Sequence, residues 1–450
     1  MSDHVEAQIR LGLRLLAEDI QPASEVRAPF RPRFLALVAA GLAVVIAAAV
    51  LAVTDPGGSP TAPRFVADTF NYQPGDAGSQ AAEPALSKFS VEQLSFVAAA
   101  STRDAWIVGS VAWRWNGTAW RNVPLPRLRG DADLESLALA ADGEAWIVGR
   151  QSRPSDDRAA YAVAEHWDGT HWRLSPLPNV GISNLFSVSA SGRDDVWVFG
   201  ESFRRDRNGK FPAKGMRPLL LHWDGSHWSR VALPWAPSGL VYYGNVVATA
   251  PTDVWVLRNK QIEHWDGTTW QAVPAPFGPR DPFRGFSASS ADDAWAVGSF
   301  AKRGHSKTLA AHWNGNSWQI AQTPNGSTDS DLTDVAAVSP DDAWAVGRSR
   351  WEDGHGNSKI LGPLFEHWDG RSWKVMPGVI PAMWEGFPSL AAAADGSAWA
   401  IGSCYLANVV ARWNGSTWTT VRHPQDHHWT KWATREDRRR GFPHCRVWKR

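Results

Sequence analysis

Residues 144–172 read EAWIVGRQSRPSDDRAAYAVAEHWDGTHW, and two motifs within this stretch decide the fold. The first is an acid two residues ahead of a tryptophan with a glycine three further on: Glu144, Trp146, Gly149. The second is Trp-[Asp/Asn]-Gly-x-x-Trp, here Trp167 to Trp172. Both recur along the chain. Tryptophans of the first motif fall at Trp106, Trp146, Trp197, Trp255, Trp295, Trp344 and Trp399. Their acids are Asp104, Glu144, Asp195, Asp253, Asp293 and Asp342, with Ser397 in the last copy, and Arg258 alone replaces the glycine. The second motif opens at Trp115, Trp167, Trp223, Trp265, Trp313, Trp368 and Trp413 and closes at Trp120, Trp172, Trp228, Trp270, Trp318, Trp373 and Trp418. Successive first-motif tryptophans are 40, 51, 58, 40, 49 and 55 residues apart, the length of a four-stranded propeller blade.

Strands follow from local chemistry. A small, apolar run such as LESLALAA (134–141) precedes each first motif and suits the innermost strand, where blades crowd the axis. AWIVG (145–149) is the second strand. A third strand ends in the second motif, whose Asp-Gly or Asn-Gly pair predicts a hairpin. A fourth follows and closes in Pro-rich loops such as VPLP (123–126). Taking Asp168-Gly169 as a two-residue turn pairs Trp167 with Thr170 and Glu165 with Trp172, which puts both tryptophans on one sheet face. A buried Trp hides ~150–250 Å², so the triplets read as packing between blades. The repeated acids read as turn formers that bond nearby amides. His166, His222, His264, His312 and His367, replaced by Arg114 and Arg412 in the outer copies, read as packing or hydrogen-bonding groups, because a propeller spreads equivalent residues around a circle. The expectation is an all-β, seven-bladed β-propeller of four-stranded blades over 88–424.

From Asp104-Ala-Trp106 to Trp413-Asn-Gly-Ser-Thr-Trp418 the chain resembles kelch-like, galactose-oxidase-like β-propellers, particularly the Trp-rich repeat proteins exported by soil bacteria. Its Asp-Gly-x-x-Trp hairpin is similar to that of tectonin-type lectin propellers. The resemblance spans about residues 91–424, with one glycine where kelch repeats carry two and 5 tyrosines in the whole chain. It implies the propeller fold and an interaction role, and it supplies no catalytic residue.

Composition bounds the rest. Lys plus Arg is 46 against Asp plus Glu 45 in 450 residues, so no basic balance points to nucleic acid. Two cysteines exclude a disulfide-dense scaffold and a four-thiolate metal site. Residues 34–53, FLALVAAGLAVVIAAAVLAV, predict a transmembrane helix of ~30 Å at ~1.5 Å per residue. Arg27, Arg31 and Arg33 precede it, so the amino terminus is expected in the cytoplasm and everything after Val53 outside; a cleaved signal peptide is the alternative. In the stub, 1–33, Val5, Ile9, Leu13, Leu16 and Ile20 fall at helical spacing. They suit either a helix for a cytoplasmic partner or one resting on the bilayer. Residues 54–87 read as a Pro/Gly-rich extracellular spacer with room for one short strand around Phe65-Val66-Ala67. The basic tail, 425–450, carries eight Lys or Arg against three acids and is either an anionic-surface contact or a solvated end. A Cys404–Cys445 disulfide would pin that tail across blade seven in an oxidising compartment; two free thiols are the alternative.

No Gly-x-Ser-x-Gly, His-Glu-x-x-His or phosphate-cradling glycine loop occurs, and the sequence offers no catalytic residue, metal ligand set or cofactor. Loop length is what breaks the repeat symmetry. From first-motif to second-motif tryptophan the separations are 9, 21, 26, 10, 18, 24 and 14, with the excess between second and third strands of blades two, three, five and six. Those loops share a face with the connections between blades, and variable loops on a rigid scaffold are where binding resides. Candidate ligand-binding residues on that face are Arg204, Arg205, Trp235, Tyr242, Tyr243, His305, Trp351, His355 and Trp384. The expected function is a membrane-anchored extracellular binding module for a glycan or protein. An extracellular propeller hydrolase or oxidase and a transmembrane sensor acting through the stub remain alternatives.

Overall fold

The computed structural model describes residues 66–67, 94–128, 130–140, 143–153, 156–205, 216–234, 244–258, 261–276, 283–302, 304–326, 329–352, 358–379, 388–404 and 407–421. They form an all-β propeller of seven four-stranded antiparallel blades. Each blade is one contiguous repeat in strand order one to four, from the axis outward. Blade one is Leu94–Ser101, Asp104–Gly109, Ala112–Trp115 and Trp120–Val123; blade two is Ala132–Leu139, Ala145–Arg153, Asp156–Trp167 and Trp172–Leu174. Blade three is Ile182–Gly192, Asp195–Phe203, Met216–Trp223 and Trp228–Val231; blade four is Gly244–Ala250, Asp253–Arg258, Gln261–Trp265 and Trp270–Val273. Blade five is Phe283–Ser290, Asp293–Lys302, His305–Trp313 and Trp318–Ala321; blade six is Asp329–Ser339, Asp342–Glu352, Ser358–Trp368 and Trp373–Val375. Blade seven is Ser389–Ala392, Ala398–Cys404, Ala407–Trp413 and Trp418–Val421.

The two motifs interlock around the ring. Each first-motif tryptophan packs on the following blade's hairpin. Trp106 meets Trp167 and Trp172 at 5.1 and 5.4 Å between ring centroids. Trp146 meets Trp223 and Trp228, Trp295 meets Trp368 and Trp373, and Trp344 meets Trp413 and Trp418. These are the tilted and edge-on geometries aromatic rings prefer. The ring closes by the same device: Trp399 of blade seven packs between Trp115 and Trp120 of blade one at 5.8 and 5.6 Å. Two hydrogen bonds reinforce the seam, from the Val97 amide to Ser389 Oγ at 3.1 Å and from the Thr102 amide to Asp395 Oδ2 at 2.7 Å. Among the described residues, no strand is exchanged between first and last blades. Nearer the axis, Ser136, Ser187, Ser287 and Ser389 each accept the amide of the next innermost strand.

The repeated glycine has a packing cause that its position in the motif does not reveal. In blades one, two, three, five and six the innermost strand carries a bulge just before Phe96, Ser136, Ser187, Gly285 and Asp334. The bulge presses the inner backbone onto the second strand. A methyl group on Gly149, Gly200 or Gly347 would overlap the carbonyl oxygen of Asp133, Asn184 or Asp331. Blade four lacks that bulge and pairs Gly244 directly with Arg258, which is why it alone tolerates a side chain there. Gly347→Ala is therefore expected to cost ~1–3 kcal/mol by overpacking, read as a lowered denaturation midpoint, whereas Arg258→Ala should not produce that clash.

Two hairpin details differ from the sequence reading. Trp167 pairs directly with Trp172, and Glu165 with Leu174, so the turn has four residues, Asp168 to His171. Asp168 Oδ1 accepts from the Thr170 and His171 amides and from Thr170 Oγ1, a side-chain closure that lengthens the loop. The two tryptophans still share a face. Five of the repeated acids are the first residues of their second strands, where they close the turn, and Glu144 lies one residue before its strand.

Val66–Ala67 forms the short strand expected near Phe65. It pairs antiparallel with the innermost strand of blade seven, Val66 opposite Ala392 and Ala67 opposite Ala391. Its Cα atoms lie within 8 Å of innermost strands of blades one, two, three, five, six and seven, which only a segment at the axis can do. On the outer edge of blade seven, Gly378–Val379 adds parallel to Trp418–Val421. Among the described residues no helix is long and apolar enough to cross a membrane. The expected transmembrane helix at 34–53, the stub, the tail and Cys445 lie outside the described residues.

Candidate functional site: the loop face

A four-stranded meander gives each blade two ends. At one end lie the turns between first and second strands and the Trp hairpins. At the other lie the loops between second and third strands and the entries to the innermost strands. The two ends are chemically distinct.

The hairpin end is occupied by its own contacts. The first-motif acid reaches the third-strand histidine directly opposite its tryptophan. His166 Nε2 lies 3.0 Å from Glu144, His222 Nε2 2.7 Å from Asp195, His264 Nε2 2.6 Å from Asp253, His312 Nε2 2.6 Å from Asp293 and His367 Nε2 2.8 Å from Asp342. Each imidazole also lies against its blade's tryptophan at 4.0–4.4 Å between centroids. In blade one Arg114 takes both roles, bonding Asp104 through Nε at 2.9 Å and Nη2 at 2.8 Å and lying over Trp106. Where Ser397 replaces the acid, Arg412 still covers Trp399 at 5.1 Å. The histidines thus have the structural role the repeat suggested, and the acids are their partners; Asp195, Asp253 and Asp293 also accept across the turn from the hydroxyls of Ser191, Thr249 and Ser289, four residues earlier. Among the described residues no group of three or more His, Cys, Asp or Glu is placed to hold a metal ion.

The loop end is polar and uneven. Asp133 and Arg150 face each other across the first two strands of blade two, and Asp331 and Arg348 occupy the same register in blade six. Arg150 Nη2 bonds Asp133 at 2.9 Å, and Arg348 Nε bonds Asp331 at 2.9 and 3.1 Å. In blade three the equivalent pair is Asn184 and Glu201, both buried. Asn184 Oδ1 and Arg284 Nε are buried polar atoms with no hydrogen-bond partner, an uncommon state in a folded protein. Blade four contributes Arg258, buried, with Nη2 bonded to Gln261 at 2.7 Å and 3.8 Å from Glu263.

Strand length gives this face its relief. The second strands of blades one and four stop at Gly109 and at Arg258, the equivalent position. Those of blades two, three, five and six continue to Arg153, Phe203, Lys302 and Glu352, three to five residues further. At ~3.3 Å per residue these arms rise ~10–17 Å above their neighbours. Blade seven stops at Cys404, two past Gly402. Around the ring the order is low, high, high, low, high, high, low. Among the described residues, the longer second strands thus fall in two adjacent pairs, blades two and three and blades five and six, separated by the shorter ones of blade four and of blades seven and one.

The candidates from sequence distribute over this relief. Arg204 and Arg205 end the blade-three arm and are exposed. His305 opens the third strand of blade five; its Nδ1 lies 3.6 Å from Asp329, whose Oδ1 accepts the Ser306 amide at 2.6 Å. That contact ties the blade-five arm to the innermost strand of blade six. Trp351 lies in the second strand of blade six and Cys404 in that of blade seven, their side chains outside the description. Trp235, Tyr242, Tyr243, His355 and Trp384 lie outside the described residues. The cross-strand pairs at the base, Asp133–Arg150, Asn184–Glu201 and Asp331–Arg348, carry no sequence signal beyond their offset from the tryptophan, four after and thirteen before.

No protein-family model and no curated protein matches this sequence. Among solved structures, the chain is similar to YCF48 bound to a D1 peptide, at 18% identity over 66% of this chain and 82% of that one, with a TM-score of 0.42. It is similar to the GH74 xyloglucanase from Xanthomonas campestris at 14% identity over 71% and 52%, with a TM-score of 0.44. A PL25 ulvan lyase aligns at 10% identity over 73% and 91%, with a TM-score of 0.40.

Proposed function

We propose that this chain is a single-pass membrane protein, its amino terminus cytoplasmic and its kelch-like propeller extracellular, whose loop face binds a glycan or protein ligand. Support for the anchor is the uncharged run 34–53 behind Arg27, Arg31 and Arg33. In that topology residues 1–33 would meet any cytoplasmic partner, and the basic tail would lie outside with the propeller.

The observation that carries the binding reading is the asymmetry between the two ends. One end spends its polar groups on repeated internal contacts; the other raises four unequal arms over a base of charged and polar cross-strand pairs. Unequal arms are not needed to close a ring held by its tryptophans, and function concentrates in such loops. The test uses full-length protein in neutral detergent on arrays of glycans and peptides. Retention of a ligand without its conversion is expected. Shortening the blade-three arm between Arg204 and Lys214 should abolish retention while leaving the melting temperature within about 2 °C, as surface changes do. Release of a modified product would favour the extracellular hydrolase or oxidase instead.

A further inference from the structure

We infer that the propeller is threaded on its own amino-terminal chain, so that its hairpin end faces the lipid headgroups and its loop face points away from them. The inference deepens the reading of a membrane-anchored propeller and rests on the anchor at 34–53. Three observations carry it.

The first is direction. Val66 stands opposite Ala392 and Ala67 opposite Ala391, antiparallel. In blade seven the innermost strand, Ser389–Ala392, starts at the loop end and runs to the turn that leads into Ala398–Cys404. That turn lies at the hairpin end. The axial segment runs the other way, so the chain ahead of Val66 leaves the ring at the hairpin end. Leu94 opens the innermost strand of blade one at the loop end, the end toward which Ala67 is heading.

The second is why blade seven takes the segment. A bulge bends the edge of a strand and discourages further pairing. The innermost strands of blades one to six each carry at least one register shift against their second strands. Ser389–Ala392 pairs with Ala398 to Ile401 without a shift. Its residues opposite the axial segment are alanines, Ala391 and Ala392, so an added strand fits beside it without displacing a large side chain.

The third is reach. Residues 54–65 separate the expected membrane span from Val66, and twelve residues cover at most ~43 Å when fully extended. From the axial segment to the outermost strand of a blade is four strand spacings, ~19 Å. Climbing a blade from its Trp hairpin to its arm, for instance along His305–Trp313, adds ~30 Å. The thread is too short to pass round the rim and bring the loop face to the bilayer. Nothing at the hairpin tips competes with it in setting the orientation. Among the described residues the exposed large apolar side chains are Leu174, Ile320 and Val375, which stand on outermost strands, so the tips offer lipid no apolar wedge.

The test uses full-length protein reconstituted in neutral lipid vesicles, with an energy-transfer acceptor on the headgroups of both leaflets. The donor fluorophore is attached through an azide-bearing residue at Asn316, in the blade-five hairpin, or at Lys302, on the blade-five arm, both exposed. Because the two positions stand ~30 Å apart along the blade, transfer is expected to be roughly twofold or more efficient from Asn316. Val66→Pro with Ala67→Pro removes both backbone donors of the axial strand. The ring, closed by its tryptophans, should keep its melting temperature, while the difference between the two positions is lost or inverted, because the tether then leaves from Leu94 at the loop end. Equal transfer from the two positions in the parent protein, or stronger transfer from Lys302, would overturn the inference and leave the anchor in place. A folded double-proline variant that keeps the parent's difference would overturn the axial strand as its cause. Protein that fails to float with the vesicles would remove the anchor and the inference together.

Discussion

Replacing Trp295 by alanine is expected to lower the stability of the propeller by about 4 kcal/mol, the cost of deleting a large aromatic from a packed site. Trp295 is fully buried. It lies 5.0 and 4.9 Å from Trp368 and Trp373 of the next blade and is stacked on His312 at 4.4 Å. The substitution therefore opens a cavity at an interface between blades. Neither blade can collapse into it, because each is held on its other face by the same interlock. Trp265, only partly buried at its hairpin, should cost less when truncated. Denaturant midpoints of the two variants check the ordering; a Trp295→Ala protein as stable as its parent would remove the interlock as the source of cohesion between blades.

The second large effect is on pH dependence. Glu165 and Glu366 occupy one repeat position, two residues before the hairpin tryptophan of blades two and six. Both are fully buried, and neither carboxyl has a hydrogen-bond partner. Burial pushes each up to about 8. Burial also raises Glu263, at the same position in blade four, against the pull of Arg258. A carboxyl that stays protonated in the fold but ionises in the unfolded chain near pH 4.5 favours the folded state below that value. Its contribution is lost as pH rises toward 8. With a shift of this size each glutamate removes roughly 3–5 kcal/mol over that window.

On the acid side the exposed turn carboxylates act in the opposite sense. Hydrogen bonds from Thr170 Oγ1 and from the His171 and Thr170 amides hold Asp168 well below the usual range. Asp224 and Asp266 are held down in the same manner, and Lys374 leads the effect at Asp369. Their contribution is present above about pH 4 and fades below it. Urea midpoints should therefore peak near pH 4.5–5 and fall steadily to pH 8. Glu165→Gln with Glu366→Gln should flatten the alkaline limb; an unchanged slope would contradict the assignment.

What the sequence made legible follows from where the information lies. Blade number, strand order and the role of the tryptophans were readable because their signals are local and repeated. The hairpin register was misread because Asp168, Asp224 and Asp266 close the turn with a side-chain oxygen, making a four-residue loop out of what looks like a two-residue one. The acids' partners were hidden by distance: Asp253 meets His264 eleven residues on, but Asp195 meets His222 after twenty-seven, the difference being the arm between them. The glycine's cause lies in a bulge on a different strand, and composition gives no hint of that. Arm lengths, by contrast, were plain as irregular spacing, so the uneven face could be located before any coordinate. Its base pairs, Asp133–Arg150 and Asp331–Arg348, could not, since one strand pairing brings together residues seventeen apart.

Hydrogen–deuterium exchange of the full-length protein, with and without a glycan or peptide retained on the arrays, addresses the central claim, that one end of the ring binds and the other holds it together. Protection is expected in the arms, at 150–163, 201–205, 299–309 and 348–352, with the Trp hairpins such as 167–172 and 368–373 unchanged. Protection confined to the hairpins, with the arms unaffected, would contradict the account.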